Sequence, residues 1–381
     1  MWEPKEIIIN ESVKDDPVTL NIVAQCPSST IMYTKSGTPK DIQKLSSIIN
    51  VKADILTKTK LAKQVLYVGP VGPGDVDYFK MHDHRMNCPT FPKINFASNG
   101  CFYRCDWCYL KSPSRSQFNC ITIKADHREL KKLIRKKMHA TNDYIMFNSG
   151  ELADSLAIEH LSMFGRTFIP FFAQSGLGLL FMLTKSDNIE HILKLDHKRH
   201  TIIAWSLNDP IISNKFEIDA PTFERRIEAA YQVQQAGYPI RIRLDPIIPF
   251  DGWKPAYAET IAKIFERITL KMMTIGTLKF EDNFYKNRYS IFSTGDDLKS
   301  YVDQMEPMLP EMDIIGDDGK PKKSHGKYSF KEPDRIEIFK FIIAEIRKHS
   351  DTKISLCKET KEVWDAVGLT ENLGHCVCQL V

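Results

Sequence analysis

The sequence predicts an α/β fold with a parallel sheet or partial barrel, because short apolar runs alternate with amphipathic stretches along most of the chain. Between two of these runs, Thr222–Ala236 carries Phe223, Ile227 and Ala230 at helical spacing. Regular alternation of strands and helices favours parallel strands joined by crossover helices, and six units predict a partial (β/α)6 barrel better than a complete eightfold one. The six runs are Ile94–Ala97, Tyr144–Phe147, Leu179–Leu183, Thr201–Trp205, Ile240–Leu244 and Met272–Ile275.

Two segments flank this predicted barrel, which we place at residues 93–308. Residues 1–92 carry strand-like runs at Ile7–Ile9 and Val65–Val68 and a turn-rich stretch at residues 69–74, which predicts a small N-terminal α/β segment. Residues 309–381 form a predicted C-terminal extension. It begins with a Pro-, Gly-, Asp- and Lys-rich loop at 309–333, followed by a helix at Asp334–Lys348, a strand at Ile354–Leu356 and a cysteine-bearing tail.

Composition places the chain among ordinary globular proteins. It has 381 residues, 43% hydrophobic content and a formal net charge of +4. The N-terminus lacks a basic stretch followed by an apolar one, and the longest apolar stretch, Phe168–Leu183, is broken by Gln174 and Ser175, so neither secretion nor a membrane span is predicted. Unpaired cysteines favour the cytoplasm. The basic run Lys131–Lys137 permits a polyanionic partner without requiring one.

Three cysteines with the spacing C-x3-C-x2-C, namely Cys101, Cys105 and Cys108, carry the clearest chemical signal. Three thiolates on one short loop can bind three irons of a [4Fe–4S] cluster, and the fourth iron keeps an open position for the amino and carboxylate groups of S-adenosylmethionine (SAM). The alternatives are a zinc site or buried thiols. Zinc needs a fourth ligand, and the nearest candidates, Cys88 and Cys120, have no paired partner.

Polar residues follow several of the predicted strands, where barrel active sites gather. They include Gly150 and Glu151, Lys185, Ser206 and Asn208. A single polar residue at a strand end is often only a helix cap, but a series of them along one rim predicts a binding site.

The chain resembles the spore photoproduct lyase family of radical SAM enzymes from about residue 65 to 345. The resemblance rests on the cluster run Gly100–Leu110, on Asp154–His160, on Trp205–Asn208 and on Pro246–Trp253. It implies a partial (β/α)6 barrel of the radical SAM type and reductive cleavage of SAM to a 5′-deoxyadenosyl radical. It also implies a DNA-related or nucleotide substrate and an electron donor such as flavodoxin or ferredoxin.

The same resemblance implies which residues hold SAM. Gly150 and Glu151 match a motif that holds the SAM amino group, and a carboxylate opposite an ammonium suits that task. Lys185 and Ser206 match positions that contact SAM. Lys185 is expected at the SAM carboxylate, and Ser206 or Asn208 at the carboxylate or the ribose hydroxyls.

The chain departs from the family where hydrogen is returned to the product. Glu151 stands where the lyase has its hydrogen-donor cysteine, and a carboxylic O–H bond is too strong to replace a thiol. Of the two tyrosines that flank the third cluster cysteine in the lyase, Tyr109 matches but Trp107 replaces the other. We therefore expect a radical enzyme that modifies, rearranges or cleaves a nucleobase or nucleic-acid-related substrate other than the spore photoproduct.

Three alternatives stay open at this point. The first is a DNA photoproduct lyase whose hydrogen donor has moved, to Tyr109 or Cys120. The second is a radical enzyme acting on a peptide or small metabolite, and the third is a non-catalytic iron–sulfur protein that binds nucleic acid.

The C-terminal tail carries a second group of cysteines. Cys357, Cys376 and Cys378, with His375 beside them, form a candidate site for a second iron–sulfur cluster or a metal ion. The alternative is that they are thiols buried as small apolar side chains.

Overall fold

The computed structural model describes residues 1–81, 83–111, 120–141, 144–290, 292, 296–315, 320–324 and 326–379. The strands are β1 Glu6–Asn10, β2 Thr30–Thr34, β3 Val65–Gly69, β4 Val76–Phe79, β5 Met86–Asn87, β6 Phe91–Ile94, β7 Ala97–Ser98, β8 Ile121–Lys124, β9 Ile145–Asn148, β10 Gly178–Thr184, β11 Thr201–Leu207, β12 Ile240–Ile247, β13 Met272–Thr277, β14 Lys279–Phe280, β15 Glu306–Pro307, β16 Met312–Ile315, β17 Pro321–Ser324, β18 Tyr328–Ser329, β19 Lys353–Leu356 and β20 Glu359–Thr360. The α-helices are α1 Pro17–Gln25, α2 Pro39–Leu45, α3 Ile55–Ala62, α4 His127–His139, α5 Glu159–Ser162, α6 Phe164–Ser175, α7 Pro210–Phe216, α8 Phe223–Gln235, α9 Trp253–Arg267, α10 Asp282–Lys286, α11 Asp296–Val302, α12 Glu332–Arg347 and α13 Lys361–Ala366.

A mostly parallel sheet forms the centre of the molecule, with the strand order β19-β13-β12-β11-β10-β9-β6-β4. The six strands from β6 to β13 lie side by side in chain order, and only β4 at one edge runs antiparallel. This confirms the predicted α/β fold with its parallel strands. The strand expected in the C-terminal extension, β19, joins the same sheet beside β13, so the sheet is one parallel strand wider than predicted.

A second sheet contains the N-terminal strands in the order β2-β1-β3-β8-β7. Its last two strands come from beyond residue 92 in the chain: β7 precedes the cysteine loop and β8 follows it. The segment that carries the cysteine loop therefore begins and ends at this second sheet. The division into domains at residues 92 and 308 stays a proposal.

The two faces of the main sheet are packed differently. On β11, Ile203, Trp205 and Leu207 contact the large core beneath the helices, whereas Ile202 and Ala204 pack against the C-terminal tail on the other face. Because side chains alternate along a strand, Ser206 lies on the same face as Ile202 and Ala204. We call this the inner face, and it is where the predicted site residues meet.

Helix α8 shows how local sequence fixes the outer layer. The Thr222 side chain accepts a hydrogen bond from the backbone N–H of Arg225 and so caps the helix start. Phe223, Ile227 and Ala230 are buried against the core, as their spacing predicted. Burial of this apolar stripe stabilises the helix on the sheet.

The prediction of a loop at residues 309–333 is wrong for the residues that the structure describes. Met312–Ile315 and Pro321–Ser324 pair as an antiparallel hairpin, and Tyr328–Ser329 pairs with β14 and β15. Pro321 sits at the first position of its strand, where a missing N–H does little harm, so the Pro- and Gly-rich composition concealed a hairpin. Residues 316–319 and 325 lie outside the described residues.

Among the described residues, no helix combines the length and the apolar character needed to cross a membrane. The apolar stretch Phe168–Leu183 is divided between helix α6 and strand β10.

Buried His127 at the start of α4 gives the fold a predictable pH dependence. Its Nδ1 lies 3.2 Å from the Thr167 hydroxyl, and burial, helped by nearby Lys131, lowers its pKa to about 3. The folded protein therefore keeps His127 neutral while the unfolded chain takes up a proton near pH 6.5, so stability is lost as the pH falls below 6.5.

We expect wild type to lose roughly 1.5 kcal/mol of unfolding free energy through this residue between pH 6.5 and pH 5. The H127Q variant should lack this pH-dependent loss of unfolding free energy. The measurement is urea unfolding of both proteins at pH 6.5 and pH 5. The matched control is H139Q, at an exposed histidine of the same helix. If H127Q and wild type lose the same unfolding free energy between these pH values, buried His127 is not the source of the pH dependence.

Candidate functional site

The cysteine loop is held in place from two sides. Gly100 N–H donates to the Leu152 carbonyl at 3.1 Å and the Asp154 N–H donates to the Gly100 carbonyl at 3.1 Å. A Cβ at Gly100 would lie 2.6 Å from the Cβ of Ala97 and 2.8 Å from that of Ala153, so this close approach requires glycine. On the other side, the Asp106 N–H donates to the Phe216 carbonyl at 2.9 Å.

The three predicted cluster ligands come together. Cys101, Cys105 and Cys108 share one small apolar group with Tyr103 and Ala157. Burial raises the pKa of Cys105 to about 12, with a smaller contribution from the Glu217 carboxylate. Such thiols need a bound cation to become thiolates, which is what iron supplies. The donor set, its burial and its spacing fit a [4Fe–4S] cluster.

A lysine whose side chain is 18% exposed lies beside these thiols. Lys185 follows β10 on the inner face, and its Nζ donates to the Ser206 hydroxyl at 2.9 Å. Burial alone would lower the pKa of Lys185, but the Glu217 carboxylate and then Cys105 outweigh it and raise that pKa. Lys185 is therefore a charged ammonium between the cluster loop and Ser206, which is what an incoming carboxylate needs.

Glu217 and Arg226 complete this charged group. The Glu217 carboxylate lies 3.4 Å from Lys185 Nζ and forms an ion pair with the guanidinium of Arg226. Arg226 also donates to the Ser206 carbonyl at 3.2 Å and to the Pro221 carbonyl at 2.7 Å. Both members of the ion pair are almost fully buried, so each charge depends on the other.

Asp154 positions Lys185 from the backbone side. Its carboxylate accepts hydrogen bonds from the Lys185 N–H at 2.7 Å and from the Thr184 hydroxyl at 2.6 Å. It also accepts the N–H groups of Leu156 and Ala157 at 3.0 and 2.9 Å. The end of β10 is thereby fixed to the segment that follows β9.

Gly150 and Glu151 follow β9 at the same rim. A Cβ at Gly150 would lie 2.6 Å from the Leu183 Cβ, so the neighbouring strand leaves room only for glycine. Half-buried Glu151 faces Lys358. Burial would lower the pKa of Lys358, but the Glu151 carboxylate opposes this and raises it. The Glu151 carboxylate is thus close enough to Lys358 to interact with its charge.

Asn208 is used inside the fold. Its amide donates to the Pro246 carbonyl at 2.6 Å, and its carbonyl accepts from the Tyr257 hydroxyl at 2.8 Å and from the Asp209 N–H at 2.9 Å. These bonds fix the Asn208 side chain between the ends of neighbouring strands. The amide has a second N–H, so a contact between Asn208 and SAM stays a proposal, as does a contact between Ser206 and SAM.

The two candidate hydrogen donors are placed differently. Tyr109 directly follows the third cluster cysteine and begins a single 3-10 turn, Tyr109–Lys111. Cys120 packs in a separate apolar group with Ile8 and Val65 of the N-terminal sheet. That position gives no support to a hydrogen-donor role for Cys120.

The three tail cysteines also come together, on the inner face of the barrel. The Arg243 guanidinium donates to Cys357 Sγ at 2.8 Å and to the Asp245 carboxylate at 2.9 Å. The hydrogen bond from the Cys378 thiol, helped by Arg243, lowers the pKa of Cys376 to about 6, and the same bond raises that of Cys378. The two thiols therefore interact directly with each other.

In the part of the chain that the structure describes, no three Cys, His, Asp or Glu side chains converge on a single ion position. Three sulfurs that bind three different irons of one cluster do not need to converge in that way.

Sequence reasoning missed Glu217, Arg226 and Arg243 as site residues. Glu217 follows helix α7, and Arg226 lies inside helix α8, so neither stands at a strand end. Arg243 lies within the β12 run, where its alternation with Ile242 and Leu244 could have marked it as an inward charge.

Comparisons with known proteins give the family of this chain. The model of the spore photoproduct lyase family matches residues 49–352. The spore photoproduct lyase of Clostridium acetobutylicum is 24% identical over 255 residues, which cover 65% of this chain and 71% of that protein. The spore photoproduct lyase of Bacillus subtilis strain 168 is 29% identical over 171 residues, covering 45% and 50% of the two chains.

A solved structure shares the fold. A spore photoproduct lyase mutant with bound AdoMet and dinucleoside spore photoproduct superposes with a TM-score of 0.73 at 19% identity, over 94% of this chain and 99% of that one. The predicted resemblance is therefore confirmed, and the fold is of the radical SAM type. The chain belongs to the spore photoproduct lyase family of radical SAM enzymes.

Proposed function

We propose that Cys101, Cys105 and Cys108 hold a [4Fe–4S] cluster, at which SAM is reductively cleaved to a 5′-deoxyadenosyl radical that abstracts hydrogen from a nucleobase or nucleic-acid-related substrate. When bound, the cluster supplies the electron that breaks the sulfonium C–S bond. The observation that carries the proposal is the half-buried Lys185 ammonium, which lies beside the cluster thiols and donates to the Ser206 hydroxyl.

The rim residues provide a binding site for SAM. The charged Lys185 suits the SAM carboxylate, and its hydrogen bond to Ser206 places a hydroxyl beside it. Asp154 fixes the backbone of Lys185 and thereby its direction. The Glu151 carboxylate, beside Gly150, suits the SAM amino group, whose positive charge would add to that of Lys358.

The substrate class is supported by the family. A relative of the same fold has been solved with the dinucleoside spore photoproduct and AdoMet bound. Glu151 stands where the lyase has its hydrogen-donor cysteine, so we propose a related nucleic-acid modification, rearrangement or cleavage as the primary reaction. The second candidate is photoproduct cleavage itself, favoured by the thiols that the tail brings into the barrel.

The partners and compartment follow from the chemistry. The reaction needs a low-potential one-electron donor, such as reduced flavodoxin or ferredoxin. All nine cysteines are free thiols, which suits the reducing cytoplasm. A second iron–sulfur cluster on Cys357, Cys376 and Cys378 would give about eight irons per chain, against about four for one cluster.

One assay separates the two candidate reactions. The protein, reconstituted anaerobically, is incubated with SAM, dithionite and the dinucleoside spore photoproduct, and 5′-deoxyadenosine and thymidine are measured. We expect 5′-deoxyadenosine without conversion of the dinucleoside to thymidine. Thymidine formed in multiple turnovers would establish the second candidate, and absence of 5′-deoxyadenosine would contradict both.

A further inference from the structure

The tail thiols lie next to the proposed SAM site. Ser206 on β11 lies directly beside Arg243 on the neighbouring strand β12. Ser206 accepts a hydrogen bond from Lys185, and Arg243 donates one to Cys357. Strands β12 and β19 are separated by two strand spacings, about 10 Å, and the Arg243 side chain extends across this distance to Cys357. The radical generated at this rim would therefore form close to the thiols.

The tail is anchored inside the barrel by specific contacts. The Val377 N–H donates to the Thr274 hydroxyl of β13 at 3.0 Å, and Arg241 of β12 donates to the Val377 carbonyl at 2.6 Å. Cys376 and Cys378 are 7% and 3% exposed and pack against inner-face side chains of β6, β9, β10, β11 and β13. The thiols are thus held in fixed positions inside the barrel.

The surroundings of these thiols are charged, which packing alone does not require. Arg243 lies near the thiols of Cys357, Cys376 and Cys378 and pairs with Asp245, while Glu151, which follows β9, interacts electrostatically with Cys378. Apolar residues would fill a barrel interior at lower cost than a buried guanidinium. The Cys376 and Cys378 thiols thus lie next to each other, with the Arg243 guanidinium near them.

Resting on the function proposed above, we propose that the Cys376–Cys378 pair donates a hydrogen atom to carbon radicals formed in the barrel. The S–H bond is among the weakest heteroatom–hydrogen bonds in protein side chains, comparable with the phenolic O–H bond of tyrosine, so a thiol can quench an alkyl radical that carboxyl or aliphatic hydroxyl groups cannot.

Hydrogen transfer begins at Cys378. Its S–H bond breaks homolytically, the hydrogen atom forms a C–H bond with the carbon radical, and a sulfur radical remains. The Cys376 thiolate shares an electron pair with that sulfur in a three-electron S–S bond. One electron from the low-potential donor, or from dithionite in vitro, and one proton from solvent restore the thiol and the thiolate.

A test that needs no substrate is uncoupled SAM cleavage in D2O. Thiol protons exchange with solvent, whereas carbon-bound hydrogens do not, so quenching of the 5′-deoxyadenosyl radical by a thiol leaves deuterium in 5′-deoxyadenosine. The full chain is reconstituted and incubated with SAM and dithionite in D2O, and the deuterated fraction is measured by mass spectrometry. We expect most of the wild-type 5′-deoxyadenosine to carry deuterium.

The C376S/C378S variant should lower the deuterated fraction by about tenfold, with the amount of 5′-deoxyadenosine within about twofold of wild type. The matched control is C26S/C120S, which replaces two buried cysteines outside the barrel and should keep the wild-type fraction. If the double variant does not fold, C376S and C378S are tested singly. A second control, Y109F, asks whether the Tyr109 hydroxyl is the source.

Each other outcome overturns the inference. Undeuterated wild-type product, or loss of deuterium in Y109F alone, would assign hydrogen return elsewhere. About eight irons per chain, falling to about four in C376S/C378S, would make the tail a cluster site. Absence of 5′-deoxyadenosine from wild type would overturn the proposed function and this inference together.

Discussion

Replacing Cys105 by alanine is expected to abolish SAM cleavage, lowering 5′-deoxyadenosine formation by at least about four orders of magnitude. Cys105 is one of three thiols on a loop that is hydrogen-bonded to its surroundings on both sides, so a nearby residue cannot move in to replace it. Two remaining thiolates do not hold a cuboidal cluster with one open iron. The measurement is iron content and 5′-deoxyadenosine after anaerobic reconstitution.

The control for this variant is Cys120→Ala. Cys120 is equally buried but packs with Ile8 and Val65 in the N-terminal sheet. It should bind about four irons and keep the wild-type rate within about threefold. Cys105→Ala protein that retained full iron content and cleavage would show that the cluster ligands are assigned wrongly.

Replacing Arg226 by methionine is expected to lower the free energy of unfolding by about 3–5 kcal/mol. The change leaves the Glu217 carboxylate buried with Lys185 as its remaining cationic partner at 3.4 Å. It also removes the donors to the Ser206 and Pro221 carbonyls. The measurement is urea unfolding of the same preparation for both proteins, compared through their midpoints.

The adjacent residue offers a matched control. Arg225 pairs with Asp187, but its side chain is 66% exposed, so R225M should cost less than about 1 kcal/mol. Equal losses for R225M and R226M would mean that the buried ion pair does not stabilise the fold as we infer.

The strands could be predicted from the sequence because burial leaves a local signal. The fully buried β11 appears as the apolar run Thr201–Trp205, and the structure extends it only to Leu207. The hairpin of β16 and β17 could not be predicted, because its strands lack an apolar alternation and residues such as Asp313, Ile315 and Lys323 are exposed. Its pairing depends on backbone hydrogen bonds, which leave no residue pattern.

The candidate site was predictable where chemistry depends on sequence spacing. The C-x3-C-x2-C loop fixes its own geometry, and Lys185 and Ser206 follow recognisable strands on one face. Partners that meet only through tertiary packing left no such signal. Glu217 reaches Lys185 from beyond helix α7, and Arg241 of β12 binds the Val377 and Gln379 carbonyls, 136 and 138 residues further along the chain.

Asn208 illustrates a second use of a polar residue at a strand end. Its position two residues after Ser206 suggested a ligand contact, and its hydrogen bonds with Pro246 and Tyr257 show that it also braces the ends of neighbouring strands. A polar residue at a strand end can be needed by the fold itself. Only its hydrogen-bond partners distinguish the two uses.

The most direct measurement is the product of SAM in the reconstituted protein. The full chain, loaded with iron and sulfide under anaerobic conditions, is incubated with SAM and dithionite, and the nucleoside products are identified by mass spectrometry. We predict 5′-deoxyadenosine, formed only when the protein carries about four irons per chain and reductant is present. Fully loaded, reduced protein that binds SAM yet yields no 5′-deoxyadenosine would contradict radical generation at the Cys101, Cys105 and Cys108 site.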